Sequence, residues 1–129
     1  MKYKGAAIQY ECRFMEKEEN LSQLADLVRQ AAGQGAKLIV LPEMCATGYY
    51  FDSMEQAAEM AEPVPGGRTV GLLEDLAREL DCYLVAGLPE SEGERLYNTA
   101  VLVGPTGLIG RHRKMHHYTP DSTWAKTGD

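Results

Sequence analysis

Residues 37–44, Lys-Leu-Ile-Val-Leu-Pro-Glu-Met, constrain the fold more tightly than any other stretch. Leu38 to Leu41 is an unbroken apolar run, too short for a helix and too apolar for a half-exposed strand. Such a run suits a strand covered on both faces, as in an α/β fold. Pro42 has no N–H to donate and ends the pairing. Glu43 follows at the carboxyl end of the strand, where open α/β sheets place their ligands. Desolvation there raises a carboxyl pKa towards neutrality and makes it a usable base, unless a cation opposes the shift. Strand position alone is equally compatible with Glu43 as merely the first solvated residue after the strand.

Around this strand the chain reads as alternating elements. Lys4–Tyr10 is predicted to be a first buried strand, and Glu11–Glu19 a solvated connection. A helix is expected from Asn20, as N-cap with Gln23 completing a capping box, through apolar positions Leu21, Leu24, Ala25, Val28, Ala31 and Ala32. Gly33 and Gly35 stop it. With the strand at 37–41 this makes a β-α-β unit with parallel strands. Tyr49, Tyr50 and Phe51 follow, suited to walling a pocket or to covering the sheet's rim. Ser53 and Gln56 open a short helix to about Ala61, and residues 63–67 form a turn. Val70, Leu73, Leu76, Ala77 and Leu80 mark a helix ending at Asp81. A third buried strand covers 82–88, where Cys82 reads as a small core residue.

Pro89–Glu94 is predicted to be a polar turn. Arg95–Val103 and a strand beginning at Leu108 then form an antiparallel hairpin, so the sheet is mixed. The return strand ends Gly-Arg-His-Arg-Lys-Met-His, residues 110–116. Taken alone, its basic run reads as a solvated edge that blocks aggregation. Alternation places His112, Lys114 and His116 on one face. The ammonium between the two imidazoles makes a poor divalent-metal site, so no metal is expected, and the histidines are expected to pack or hydrogen-bond beside Lys114.

Composition excludes several classes. The 129 residues fit one small domain, 44% hydrophobic and 25% charged, as in ordinary soluble proteins. A net charge of −6 offers no footprint for nucleic acid or anionic lipid. No apolar run is long enough to span a membrane, and the N-terminus lacks a signal-peptide core. Cysteines at 12, 45 and 82 suggest neither a disulfide framework nor a metal site, which points to a cytoplasmic setting.

Two motifs carry a resemblance. Leu-Pro-Glu-Met-Cys-Ala-Thr-Gly-Tyr, 41–49, resembles the first catalytic motif of the nitrilase, or carbon–nitrogen hydrolase, superfamily. The 110–116 run resembles its second, with Tyr97-Asn98-Thr99 as the usual approach to that hairpin. The resemblance implies that Glu43 is the general base and Lys114 the lysine of a Glu–Lys–Cys triad. It implies an α-β-β-α sandwich, of which residues 1–129 form the N-terminal half, a mixed sheet with helices packed on one face. Tyr49 and Tyr118 are the substrate-contact candidates, and Asp121 and Trp124 fall in a loop that shapes the pocket. Asp121 lies near a further acidic position of the family, without a role carried over. The implied substrate is a small amide, nitrile or N-carbamoyl compound, with no cofactor and a homo-oligomeric assembly.

The family's nucleophilic cysteine lies beyond the last residue of this chain, and none of the three cysteines matches it. Cys45 neighbours the base, but residues two apart on a chain do not easily converge on one substrate atom. Two readings stand: a hydrolase whose cysteine lies beyond Asp129, or a non-catalytic remnant serving as a binding or oligomerisation module. Half of a stacked-sheet fold would leave an apolar sheet face open, favouring self-association.

Overall fold

The computed structural model describes residues 2–128; Met1 and Asp129, the ends of the expected partial domain, lie outside the described residues. Five strands form one sheet in sequence order: β1 (Lys4–Ala7), β2 (Ala36–Val40), β3 (Tyr83–Glu92), β4 (Arg95–Gly104) and β5 (Gly107–Arg113). β1, β2 and β3 are parallel, whereas β3–β4 and β4–β5 are antiparallel, which makes the sheet mixed as predicted. The helices are α1 (Lys17–Gly33), α2 (Met54–Met60) and α3 (Arg68–Leu80).

Side-chain alternation sorts the sheet into two faces. Ile39, Leu84, Ala86, Val101 and Val103 point to one side and pack beneath Leu21, Leu24 and Val28 of α1 and Val70, Leu73 and Leu76 of α3. On the opposite side Leu38, Val40, Tyr83 and Ile109 are exposed. The apolar run of β2 therefore has one covered face in this chain, not two. β1 is correspondingly short and largely exposed, because it is an edge strand rather than a buried one.

Three local expectations are corrected. α1 begins at Lys17, so Asn20 lies inside its first turn and is not its cap. Fully buried, Asn20 instead ties two loops together: its amide donates to the carbonyls of Arg13 and Ala46 and accepts from the Arg13 N–H. Ser53 does cap α2, accepting from the Gln56 N–H, while the Gln56 side chain accepts from the N–H of Asp52.

Residues 89–92 also belong to β3 instead of forming a turn; Pro89 is tolerated because its backbone faces away from β4. There its carbonyl accepts from the Glu62 N–H. The basic run of β5 is only partly a solvated edge. Arg113 is buried, stacked 3.8 Å over the Tyr97 ring, and bonded with Arg111 to the buried carboxylate of Glu90. Cys82 lies in the core as expected.

Candidate active site

Glu43 emerges where β2 gives out. Leu41 still donates its N–H to the Val85 carbonyl, and Pro42 then offers only its own carbonyl, which accepts from the Gly87 N–H. Cys45 donates back to the Gly87 carbonyl at 2.9 Å, pinning the turn against β3. Gly87 is required here: a Cβ would lie 2.7 Å from the Glu43 Cα. The carboxylate is thereby held by backbone over the open face of the sheet.

Lys114 follows the last residue of β5, its N–H donating to the Asn98 carbonyl at 2.8 Å. Its Nζ lies 3.0 Å from Oε1 of Glu43 and 2.5 Å from Oδ2 of Asp121. Asp121 starts a single 3-10 turn, Asp121–Thr123, and is buried. Trp124 anchors that turn in a second apolar cluster with Met44, Phe51, Ala57, Leu96 and Ala125, meeting Phe51 edge-on at 5.4 Å. Trp124 thus supports the site from behind and does not line it.

Asn98 completes the group. Buried in β4, its amide nitrogen is 2.6 Å from Oε1 of Glu43 and 3.3 Å from Oδ2 of Asp121. Two facing carboxylates fix which way the amide points, since its carbonyl oxygen there would be repelled. The Tyr49 hydroxyl donates to the other Glu43 oxygen, Oε2, at 3.2 Å.

These contacts set the electrostatics, and the cation that would oppose an upward shift of Glu43 is present as Lys114. Burial pushes its carboxyl up, but the hydrogen bonds from Asn98, Lys114 and Tyr49 and the lysine charge together hold it below the ordinary carboxylate range. For Lys114, burial works against the charge, yet Asp121 and Glu43 outweigh it and raise the pKa. At neutral pH Glu43 is thus ionised and Lys114 protonated.

Two clefts meet at this pair. One, about 280 Å³, lies on the open sheet face and is lined by Glu43, Lys114, Asn98, His112, Val85 and Ala100 among others. The other, about 270 Å³, is walled by Tyr49, Tyr50, Tyr118, Pro120 and Asp121 beside the same Glu43 and Lys114. Tyr49 and Tyr118 therefore both border the pair, while Phe51 is buried in the apolar cluster. His112 lines the first cleft, but His116 lies past the end of β5 and is exposed, so strand alternation does not reach it. His117 is the imidazole that meets Lys114, with Nε2 3.2 Å from its carbonyl.

Asn98 and Asp121 are the site members that sequence reasoning left without roles. A mid-strand Asn on the face that carries Lys114, and an acid in the loop after it, were the available signals. Cys45 is fully buried, its carbonyl accepting from the Tyr10 hydroxyl, and burial pushes its thiol up to about 12. It has neither the access nor the acidity of a nucleophile.

Comparison with known proteins places the chain in a family. Residues 4–127 match the carbon–nitrogen hydrolase family. The chain is 41% identical over 126 residues to a nitrilase of Pyrococcus abyssi, covering 98% of this chain and 48% of that protein. It is 43% identical over 107 residues to an omega-amidase of Danio rerio, covering 81% of this chain and 37% of the other. The chain thus spans half or less of the length of these relatives. Among solved structures, an N-terminal amidase superposes with a TM-score of 0.85 at 22% identity, covering 94% of this chain and 30% of that one. An amidase of the nitrilase superfamily from Nesterenkonia gives 0.75 at 26% identity, over 95% of this chain and 47% of the other. The chain belongs to the carbon–nitrogen hydrolase family.

Proposed function

We propose that this chain supplies the base and the cation of a Glu–Lys–Cys hydrolase acting on a small amide, nitrile or N-carbamoyl compound. The observation that carries the reading is the 3.0 Å approach of Lys114 Nζ to Glu43 Oε1 at the meeting of two clefts. The relatives' names, nitrilase and omega-amidase, direct the choice of substrate class. In this reading the nucleophilic cysteine lies beyond Asp129, since Cys45 is sealed in the core.

The chemistry follows from the groups present. Glu43 takes the thiol proton as sulfur attacks the carbonyl carbon, and Lys114 opposes the negative charge that develops on oxygen. As the tetrahedral adduct collapses, Glu43 returns the proton to the departing nitrogen. A carboxyl held below its ordinary pKa is a weak base but a strong acid, which favours that return step. Water then cleaves the thioester, with Glu43 again accepting a proton. The setting is cytoplasmic and the assembly homo-oligomeric.

The test is ammonia release from a panel of small amides and nitriles by the complete gene product and its Glu43→Gln variant. The variant should lose roughly 100- to 10,000-fold in kcat, the usual worth of a positioned acid–base group. Undiminished hydrolysis would reject the role of Glu43. A second reading, an oligomerisation module without turnover, is favoured by the exposed Leu38, Val40, Tyr83 and Ile109. It predicts self-association with no hydrolysis of any substrate.

A further inference from the structure

The two oxygens of Glu43 are not equivalent. Oε1 receives both Lys114 Nζ, at 3.0 Å, and the Asn98 amide, at 2.6 Å. Among the described residues Oε2 receives only the Tyr49 hydroxyl, at 3.2 Å, from a side chain on the exposed cleft wall. Asn98 and Lys114 also share their other partner, Oδ2 of Asp121. A neutral amide and an ammonium therefore bridge the same two carboxylates, and the amide is anchored within a central strand. Its attachment through two χ angles restricts it far more than the long lysine chain is restricted.

We propose that Asn98 is a positioning residue that locks Glu43 in one orientation, with Oε1 as the fixed anchor and Oε2 as the oxygen that exchanges protons. Oε2 takes the proton from the nucleophile and returns it to the leaving nitrogen, while Oε1 stays bound throughout. An oxygen holding two donors has little lone-pair capacity left, whereas Oε2 needs only to lose or share one weak contact. The inference rests on the reading of Glu43 as the base. Among the described residues, the charged and titratable groups lining the clefts with that carboxylate are Lys114 and His112 on or next to β5, Asp121 on the 3-10 turn, Tyr118 just before it, and Tyr49 and Tyr50 on the loop after β2.

The test uses Asn98→Leu and Asn98→Ser in the complete gene product, with Glu43→Gln alongside. Both Asn98 variants should lose about 10- to 100-fold in kcat, as expected when a reacting group is misplaced, with KM changed by no more than about twofold. The acid limb of their pH–kcat/KM profiles should move to higher pH, because a donor to the ionised carboxylate is gone. A purely structural role for Asn98 would not move that limb. Unchanged kcat and an unmoved acid limb in either folded variant would overturn the proposal. Asn98→Ser, uncharged and smaller than asparagine, decides alone if Asn98→Leu does not fold; failure of both to fold makes Asn98 a folding element and also overturns it. Full activity in Glu43→Gln rejects the underlying reading instead, whereas an inactive Glu43→Gln beside unaffected Asn98 variants rejects only this inference.

Discussion

Lys114 Nζ sits between Oε1 of Glu43 and Oδ2 of Asp121, joining groups 71 and 7 positions away in the chain. One cation thus serves two carboxylates, and its removal exposes both. Lys114→Ala in the complete gene product should lower kcat by roughly 100- to 1,000-fold, the usual effect of deleting a group aimed at developing charge. Steady-state kinetics with a small amide checks this, and activity within tenfold of the parent would place the cation elsewhere.

The Glu43 carboxyl should leave a signature in stability against pH. Its folded pKa is depressed below the ordinary 4.5: burial opposes this, but the Asn98, Lys114 and Tyr49 contacts prevail. A depressed carboxyl contributes stability that is complete above the unfolded pKa and lost as pH falls through the folded one. The difference in Tm between the parent and Glu43→Gln should therefore shrink progressively as pH falls below 4.5. Calorimetry at stepped pH measures it; a constant or widening gap would contradict the assigned contacts.

Gly87 gives a test of positioning from the backbone side. Its absent Cβ leaves room for Glu43, and Gly87→Ala forces the two strands' ends apart. A cost of about 1–3 kcal/mol is expected from overpacking. The kcat should fall by roughly 100-fold through displacement of the carboxylate. Denaturant titration and kinetics on the same sample separate the two effects.

Glu90 should matter for stability without touching the clefts. Fully buried, it accepts from Thr99, Arg111 and Arg113. Glu90→Gln strips the charge that neutralises a buried arginine and should cost about 3–5 kcal/mol. A urea midpoint close to the parent's would show that the other partners of Arg113, Glu92 among them, suffice.

Tyr118 isolates substrate contact from folding. It is exposed and borders the cleft beside Glu43 and Lys114. Tyr118→Ala should leave stability within about 0.5 kcal/mol and raise KM about three- to tenfold. Unchanged KM across the substrate panel would remove Tyr118 from the binding surface.

What the sequence disclosed follows from the range of the forces involved. The mixed sheet and the helices were legible because apolar periodicity specifies them locally, and two motifs singled out Glu43 and Lys114; that these side chains meet, 71 positions apart, was not legible. Asn20 was misread as a cap because its real partners, Arg13 and Ala46, depend on how loops meet. The acidity of Glu43 was legible only in part: burial and an opposing cation follow from the strand end and the motifs, but the donors Asn98 and Tyr49 arrive from elsewhere. Arg113 looked like a solvated edge charge until Glu90, its partner across the sheet, was placed beneath it.

β5 carries two unrelated duties on alternate residues. Arg111 and Arg113 secure the buried Glu90, while His112 and Lys114 serve the cleft on the other side. A one-residue deletion in the Gly104–Gly107 turn would exchange the two faces, sending the site's lysine to the interior place of Arg113 and bringing Met115 to Glu43 in its stead. Stability and chemistry in this strand are thus tied to one reading frame of the backbone. A single substitution along it touches one duty, but a change in length would damage both at once.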